Sequence, residues 1–214
     1  MASIKLKGDT SGEVTISAPA VAGTTTLELP ATSSTLATQN ALGVRNLIIN
    51  GDMRIAQRGT SSTGITGVGY YTIDRMQTLI VSGGTWTMSQ DTDVPTGQGF
   101  VNSLKMSCTS STTLTGNSQT SVQHRLEAQN LQHLKFGTSS AESLTLSFWV
   151  KSNKTGNYVV WFTQDDIARS TNKIYTINSA DTWEKKTLTI NGDSSGVINN
   201  DNGLGMQVRF ILGS

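Results

Sequence analysis

Residues 143–152 read SLTLSFWVKS. Leu144, Leu146, Phe148 and Val150 fall on one side of an extended chain, and Thr145, Ser147 and Trp149 on the other. A period of two, apolar on one side only, is the pattern of a strand packed on a core through one face. Working outward, the same kind of run recurs at 45–50 (RNLIIN), 71–81 (YTIDRMQTLIV), 85–90, 103–109, 121–128, 157–164, 173–178, 185–190 and 205–212. Turn formers such as Thr155-Gly156-Asn157, Asn191-Gly192-Asp193 and Asn202-Gly203 separate the runs. Short strands at this spacing predict an all-β chain with a jelly-roll β-sandwich over residues 44–214. One helix of about two turns is expected over 127–134 (EAQNLQHL).

Composition points the same way. Charged residues make up 14% of the 214-residue chain, against roughly 25% in an average domain. Ser and Thr supply about a quarter of the chain and Gly another 21 residues, while the hydrophobic share is 36%. That is too apolar and too weakly charged for a disordered low-complexity chain. A net charge of +1 with scattered Lys and Arg gives no footprint for nucleic acid, which needs clustered cations. The lone Cys108 excludes an intrachain disulfide, consistent with synthesis in a reducing cytoplasm. No run approaches the length of a membrane span, and Met1–Lys7 lacks the apolar core of a signal peptide.

Residues 1–43 are different. Three thin alternating pairs, Ile4/Leu6, Val14/Ile16 and Leu27/Leu29, are set between turn-rich stretches. Each pair has too few inward positions to fold alone. This region is expected to be an extended β attachment segment that leans on copies of itself or on a partner. At the other end, Gln207–Leu212 reads as an inner strand followed only by Gly213 and Ser214. The sandwich is therefore expected to be incomplete and the polypeptide to continue.

Tests for chemistry return little. His124 and His133 have no Cys or carboxylate at metal-ligand spacing, and His124 reads as structural. The Gly-rich pieces at 64–69 and 192–196 lack the phosphate-loop pattern. Asp91/Asp93, Asp165/Asp166 and Asp193/Asp201 do not have calcium-loop spacing. No catalytic residue, cofactor or metal is expected, and the chain is expected not to be an enzyme. The aromatic residues are more informative. Phe148 and Trp149 must face opposite ways on one strand, as must Trp161 and Phe162. An outward Trp suits a sugar platform, which makes Trp86, Trp149 and Trp161 candidate glycan contacts.

The densest stretch is NLIINGDMRIAQRGTS at 46–61. Leu47–Ile49 reads as a buried strand and Asn50-Gly51 as a positive-φ turn. Asp52, Arg54 and Arg58 are expected to pin this crossing to Asp74 and Arg75 through charge-assisted hydrogen bonds. Together Asn50, Gly51, Asp52, Arg54, Arg58, Asp74 and Arg75 form a candidate structural junction between the two regions.

ATQNALGVRNLIINGDMRIAQRGTS (37–61) and GYYTIDRMQ (69–77) resemble the tail-fibre and virion structural proteins of tailed bacteriophages. So, in the same order, do VQHRLEAQNLQHLKFG (122–137), SLTLSFWVKSNKTGNYVV (143–160), YTINSADTWEKKTLTINGD (175–193) and DNGLGMQVRFILGS (201–214). One departure is Met76, where the family often carries Trp. The resemblance implies a module like the jelly rolls of carbohydrate-binding modules. It implies a homotrimeric tail-fibre subunit in the virion, docked through residues 1–43 on tail adaptor, nozzle or baseplate proteins and facing a host-surface glycan. A fibre attached to the head and an accessory sugar-binding module of a glycan-degrading enzyme are the alternatives. A depolymerase tailspike would need the long repetitive β-helix that this sequence lacks.

Overall fold

A computed structural model describes residues 3–7, 10–17 and 46–213. The chain divides into two units, Met1–Arg45 and Asn46–Ser214. In the first, β1 (Ser3–Lys7) and β2 (Glu13–Ser17) form an antiparallel hairpin with Ile4 opposite Ile16. A Lys5–Glu13 ion pair of 2.7 Å crosses it. Ile4, Leu6 and Ile16 are 64%, 55% and 46% exposed, so the hairpin by itself buries little apolar surface. The expected third pair, Leu27/Leu29, lies outside the described residues.

The second unit is all-β apart from one short helix, and its strands pack as an antiparallel sandwich. It contains β3 (Ser61–Ile65), β4 (Met76–Val81), β5 (Thr85–Asp91), β6 (Ser103–Ser110), β7 (Gln119–Glu127) and β8 (Leu144–Val150). After these come β9 (Gly156–Gln164), β10 (Arg169–Ile177), β11 (Glu184–Ile190) and β12 (Leu204–Gly213). Five strands make the large sheet, in the order β10-β9-β12-β7-β4. Two smaller sheets, β11-β8 and β3-β5-β6, cover its inner face side by side.

Alternation creates two cores on that inner face. Under β8 and β11, the buried side chains include Val160, Phe162, Tyr175, Ile177, Met206 and Val208 of the large sheet. Phe148 sets its ring edge-on to Tyr175 and Phe210, at centroid distances of 5.1 and 5.0 Å. Such pairs add about 0.5–1.5 kcal/mol beyond the area that they bury. Under β5, the second core joins Ile65, Ile73, Met76, Ile80, Met88 and Val122. The strand expected over 71–81 begins only at Met76, because Arg75 turns left-handed at φ 72°. The expected two-turn helix is a 3-10 helix, Ala128–Leu134, which buries Ala128, Leu131 and Leu134.

Of the strand expected over 45–50, Arg45 lies outside the described residues and residues 46–50 are not a strand. Asn46 Oδ1 accepts the Ile48 N–H at 3.0 Å and bends the chain into turns. Leu47 packs on the first core and Ile48 on both, while the Ile49 side chain is exposed. The Ile49 N–H donates to Nε2 of the fully buried His124 at 3.1 Å. Sequence periodicity detected the apolar content of this stretch, but local side-chain competition for the backbone decided its shape.

Candidate functional site

Residues of the large sheet that point away from the cores form the site. Part of the outward face of β4, β7 and β12 carries long polar side chains, Gln77, Gln123, Arg125, Gln207 and Arg209, while the inward neighbours Met76, Val122, Met206 and Val208 belong to the cores; Leu79 and Ile211 share the outward face further along. The register lines one of them up across all five strands: Gln77 opposite Gln123, Gln123 opposite Arg209, Arg209 opposite Trp161, and Trp161 opposite Asn172. One step along, Gln207 lies opposite both Arg125 and Thr163.

The row is hydrogen-bonded along its length. Gln123 Nε2 donates to Gln77 Oε1 at 2.5 Å, and Arg209 Nε donates to Gln123 Oε1 at 2.8 Å. A second Arg209 nitrogen donates to Gln207 Oε1 at 2.9 Å, and Gln207 Nε2 donates to Asp165 Oδ1 at 2.6 Å. Finally, the Arg209 guanidinium lies over the Trp161 ring, 5.9 Å from its centroid. Gln77, Gln123 and Gln207 are only 7%, 4% and 8% exposed. These amides are therefore fixed in place, which orients Arg209 and leaves Trp161 half-buried beside it. Burial pushes the Asp165 carboxyl above its ordinary range, against the opposing pull of the Gln207 hydrogen bond and of Arg125 and Arg209. Burial likewise lowers the Arg209 guanidinium from its ordinary value.

The three candidate tryptophans are separated. Trp161 is in the row. Trp149 is on the outward face of β8, opposite Lys185, and so on the other side of the sandwich. Trp86 packs against the second core and donates its indole N–H to the Gly83 carbonyl at 2.7 Å. Gln77, Gln123, Gln207, Arg125 and Arg209 were not anticipated from sequence. Their available signal was long polar residues at alternate positions of strands whose other positions are apolar.

Around the junction, Asn50 is left-handed at φ 58°, and so is Met53, whereas Gly51 is not. Asn50 Nδ2 donates to the carbonyls of Ile55 (2.9 Å) and Asp74 (3.0 Å), and its Oδ1 accepts the Ile55 N–H at 3.0 Å. Arg58 reaches Asp74 at 3.2 Å, and Arg54 pairs with Asp52 at 2.8 Å. Arg75 turns instead to Glu127 at 2.8 Å, and this pairing holds the Glu127 carboxyl below its usual range.

A separate cleft of about 360 Å³ lies beside Gln164, Arg169 and Asp193. The Arg169 guanidinium and the N–H groups of Ser195 and Gly196 hold the Asp193 carboxyl well below the carboxylate range. Its oxygens are engaged in closing a loop. Among the described residues no group of three or more His, Cys, Asp or Glu could hold a metal ion, and no helix is long and apolar enough to cross a membrane.

No protein-family model matches the chain, and no curated protein matches it. Among solved structures it is similar to the enzymatically active domain of tailspike protein 4 of bacteriophage CBA120, with 13% identity and a TM-score of 0.42. The match covers 78% of this chain and 19% of that one, so this chain spans about a fifth of the solved chain's length. The expectation that the chain is not an enzyme is corrected here. The solved domain is described as enzymatically active, and this finding stands against that expectation.

Proposed function

We propose that the chain is an adhesive structural subunit of a bacteriophage tail fibre. It acts as a homotrimer in the virion, docked through residues 1–43 on tail adaptor, nozzle or baseplate proteins. Its outer sheet face meets a saccharide of the host surface. The segment-by-segment resemblance to tail-fibre proteins supports the phage setting. The observation that carries the binding role is the row Gln77–Gln123–Arg209–Trp161, in which buried amides fix a guanidinium against a half-buried indole. Indole faces stack on sugar C–H surfaces, and a guanidinium held in place by buried amides donates to hydroxyls. Three copies on one fibre multiply weak contacts into firm attachment.

Retention of the full chain on immobilised bacterial surface polysaccharides tests this reading. At least one polysaccharide should retain it, and Trp161→Ala should weaken that retention about tenfold, the scale of a lost stacking contact. Trp149→Ala, on the opposite side, should leave it unchanged. No retention by any member of the panel, or loss with Trp149→Ala but not Trp161→Ala, overturns the reading.

A further inference from the structure

We infer that the saccharide taken on this face bears carboxylates. This rests on the binding role proposed above and names the ligand class. Four of the six described arginines are paired with carboxylates: Arg54 with Asp52, Arg58 with Asp74, Arg75 with Glu127 and Arg169 with Asp193. The other two, Arg125 and Arg209, have no carboxylate within ion-pair distance among the described residues. Both point outward from the same sheet, on the adjacent strands β7 and β12.

Their placement is suited to one shared anion. Gln207 is directly opposite Arg125, and Arg209 is two residues further along β12, so the two arginines are diagonal neighbours. Diagonal positions of an antiparallel pair are roughly 7–8 Å apart, within reach of long side chains. A guanidinium has five N–H donors. Arg209 uses one on Gln123 and one on Gln207, both neutral acceptors. Arg125 makes no side-chain hydrogen bond among the described residues. The acid whose charge acts on both, Asp165, lies beyond ion-pair distance, has its Oδ1 bonded to Gln207, and is disfavoured in its charged form by burial. Two half-buried cations thus face outward with most of their donors open, in a chain where only 14% of residues are charged. A carboxylate matches guanidinium forks bidentately. Trp161 beside Arg209 supplies the apolar platform that a sugar ring adds to that carboxylate and a simple anion does not.

The test uses the full chain with immobilised oligogalacturonate, oligoalginate and polysialic acid, each also after reduction of its carboxyls to alcohols. At least one acidic form should be retained, and its reduced counterpart should bind at least tenfold more weakly. Arg125→Gln and Arg209→Gln should each cost about tenfold on the acidic form only. Raising salt from 50 to 500 mM should weaken the acidic arm selectively. Equal retention of acidic and reduced forms overturns the inference while the sugar-binding reading stands. Retention of none of the acidic forms, while a neutral polysaccharide is retained through Trp161, also overturns it. So does competition by acetate as effective, per carboxylate, as the acidic saccharide. Arg125→Gln should keep the wild-type melting temperature, since its side chain makes no hydrogen bond that the fold needs.

Discussion

At the residue scale, His124 is a titratable group that the fold buries completely. It faces inward between the two cores, and burial, followed by the nearby Arg75 charge, lowers its pKa from the ordinary value. Nε2 accepts the Ile49 N–H and Nδ1 has no partner, so the fold holds the neutral ring. As pH falls, the unfolded chain takes the proton first, near pH 6.5. The contribution is therefore complete above about pH 6.5 and is lost as pH drops toward the lower folded value. The urea midpoint should fall between pH 7.5 and 5.5, and by less in His124→Gln; identical falls would remove His124 as the cause. Asn50 invites a second substitution. Asn50→Ala loses three hydrogen bonds and places a Cβ-bearing residue with no stabilising side chain at φ 58°. It should destabilise by about 2–4 kcal/mol, and Asn50→Gly by less, because Gly relieves the backbone strain. Equal losses in the two variants would show that the conformation contributes nothing. The sequence showed that Asn50 mattered but not why: its side chain, rather than the following Gly, carries the turn.

At the element scale, legibility followed how unequal a strand's two faces are. β8 was readable because Leu144, Leu146 and Phe148 meet a core while Thr145 and Ser147 meet water. β3 was invisible: SSTGI has one buried apolar residue, Ile65, and it is a strand only because β5 pairs with it. The outer row could not be read for another reason. Gln77, Gln123, Arg209 and Trp161 come from four distant stretches, and only register brings them level. Close approach of elements leaves its own mark at Gly205, where an added Cβ would meet the Ala128 Cα at 2.6 Å. Gly205→Ala should push β12 off the 3-10 helix and lower stability by about 1–3 kcal/mol, the range for overpacking. A wild-type urea midpoint in Gly205→Ala would contradict this close contact.

For the whole sandwich of residues 46–214, the two cores share one sheet, and Val122 and Leu126 of β7 belong to different cores. Damage to either should therefore lower the same transition. Ile73→Ala in the second core and Leu131→Ala in the first should each cost about 2–5 kcal/mol. Each should shift tryptophan fluorescence and far-ultraviolet circular dichroism together; separated transitions would show that the cores unfold independently. The central position of β12 has a further consequence, in the order of synthesis. β12 pairs with β7 and β9, which both precede it in the chain. While a ribosome makes the roughly 75 residues between β7 and β12, at about 5–20 residues per second, β7 has no partner on that side. β9 then waits as well. For several seconds each nascent chain carries two open strand edges of the kind that recruit neighbours, and several chains growing on one messenger bring such edges close together.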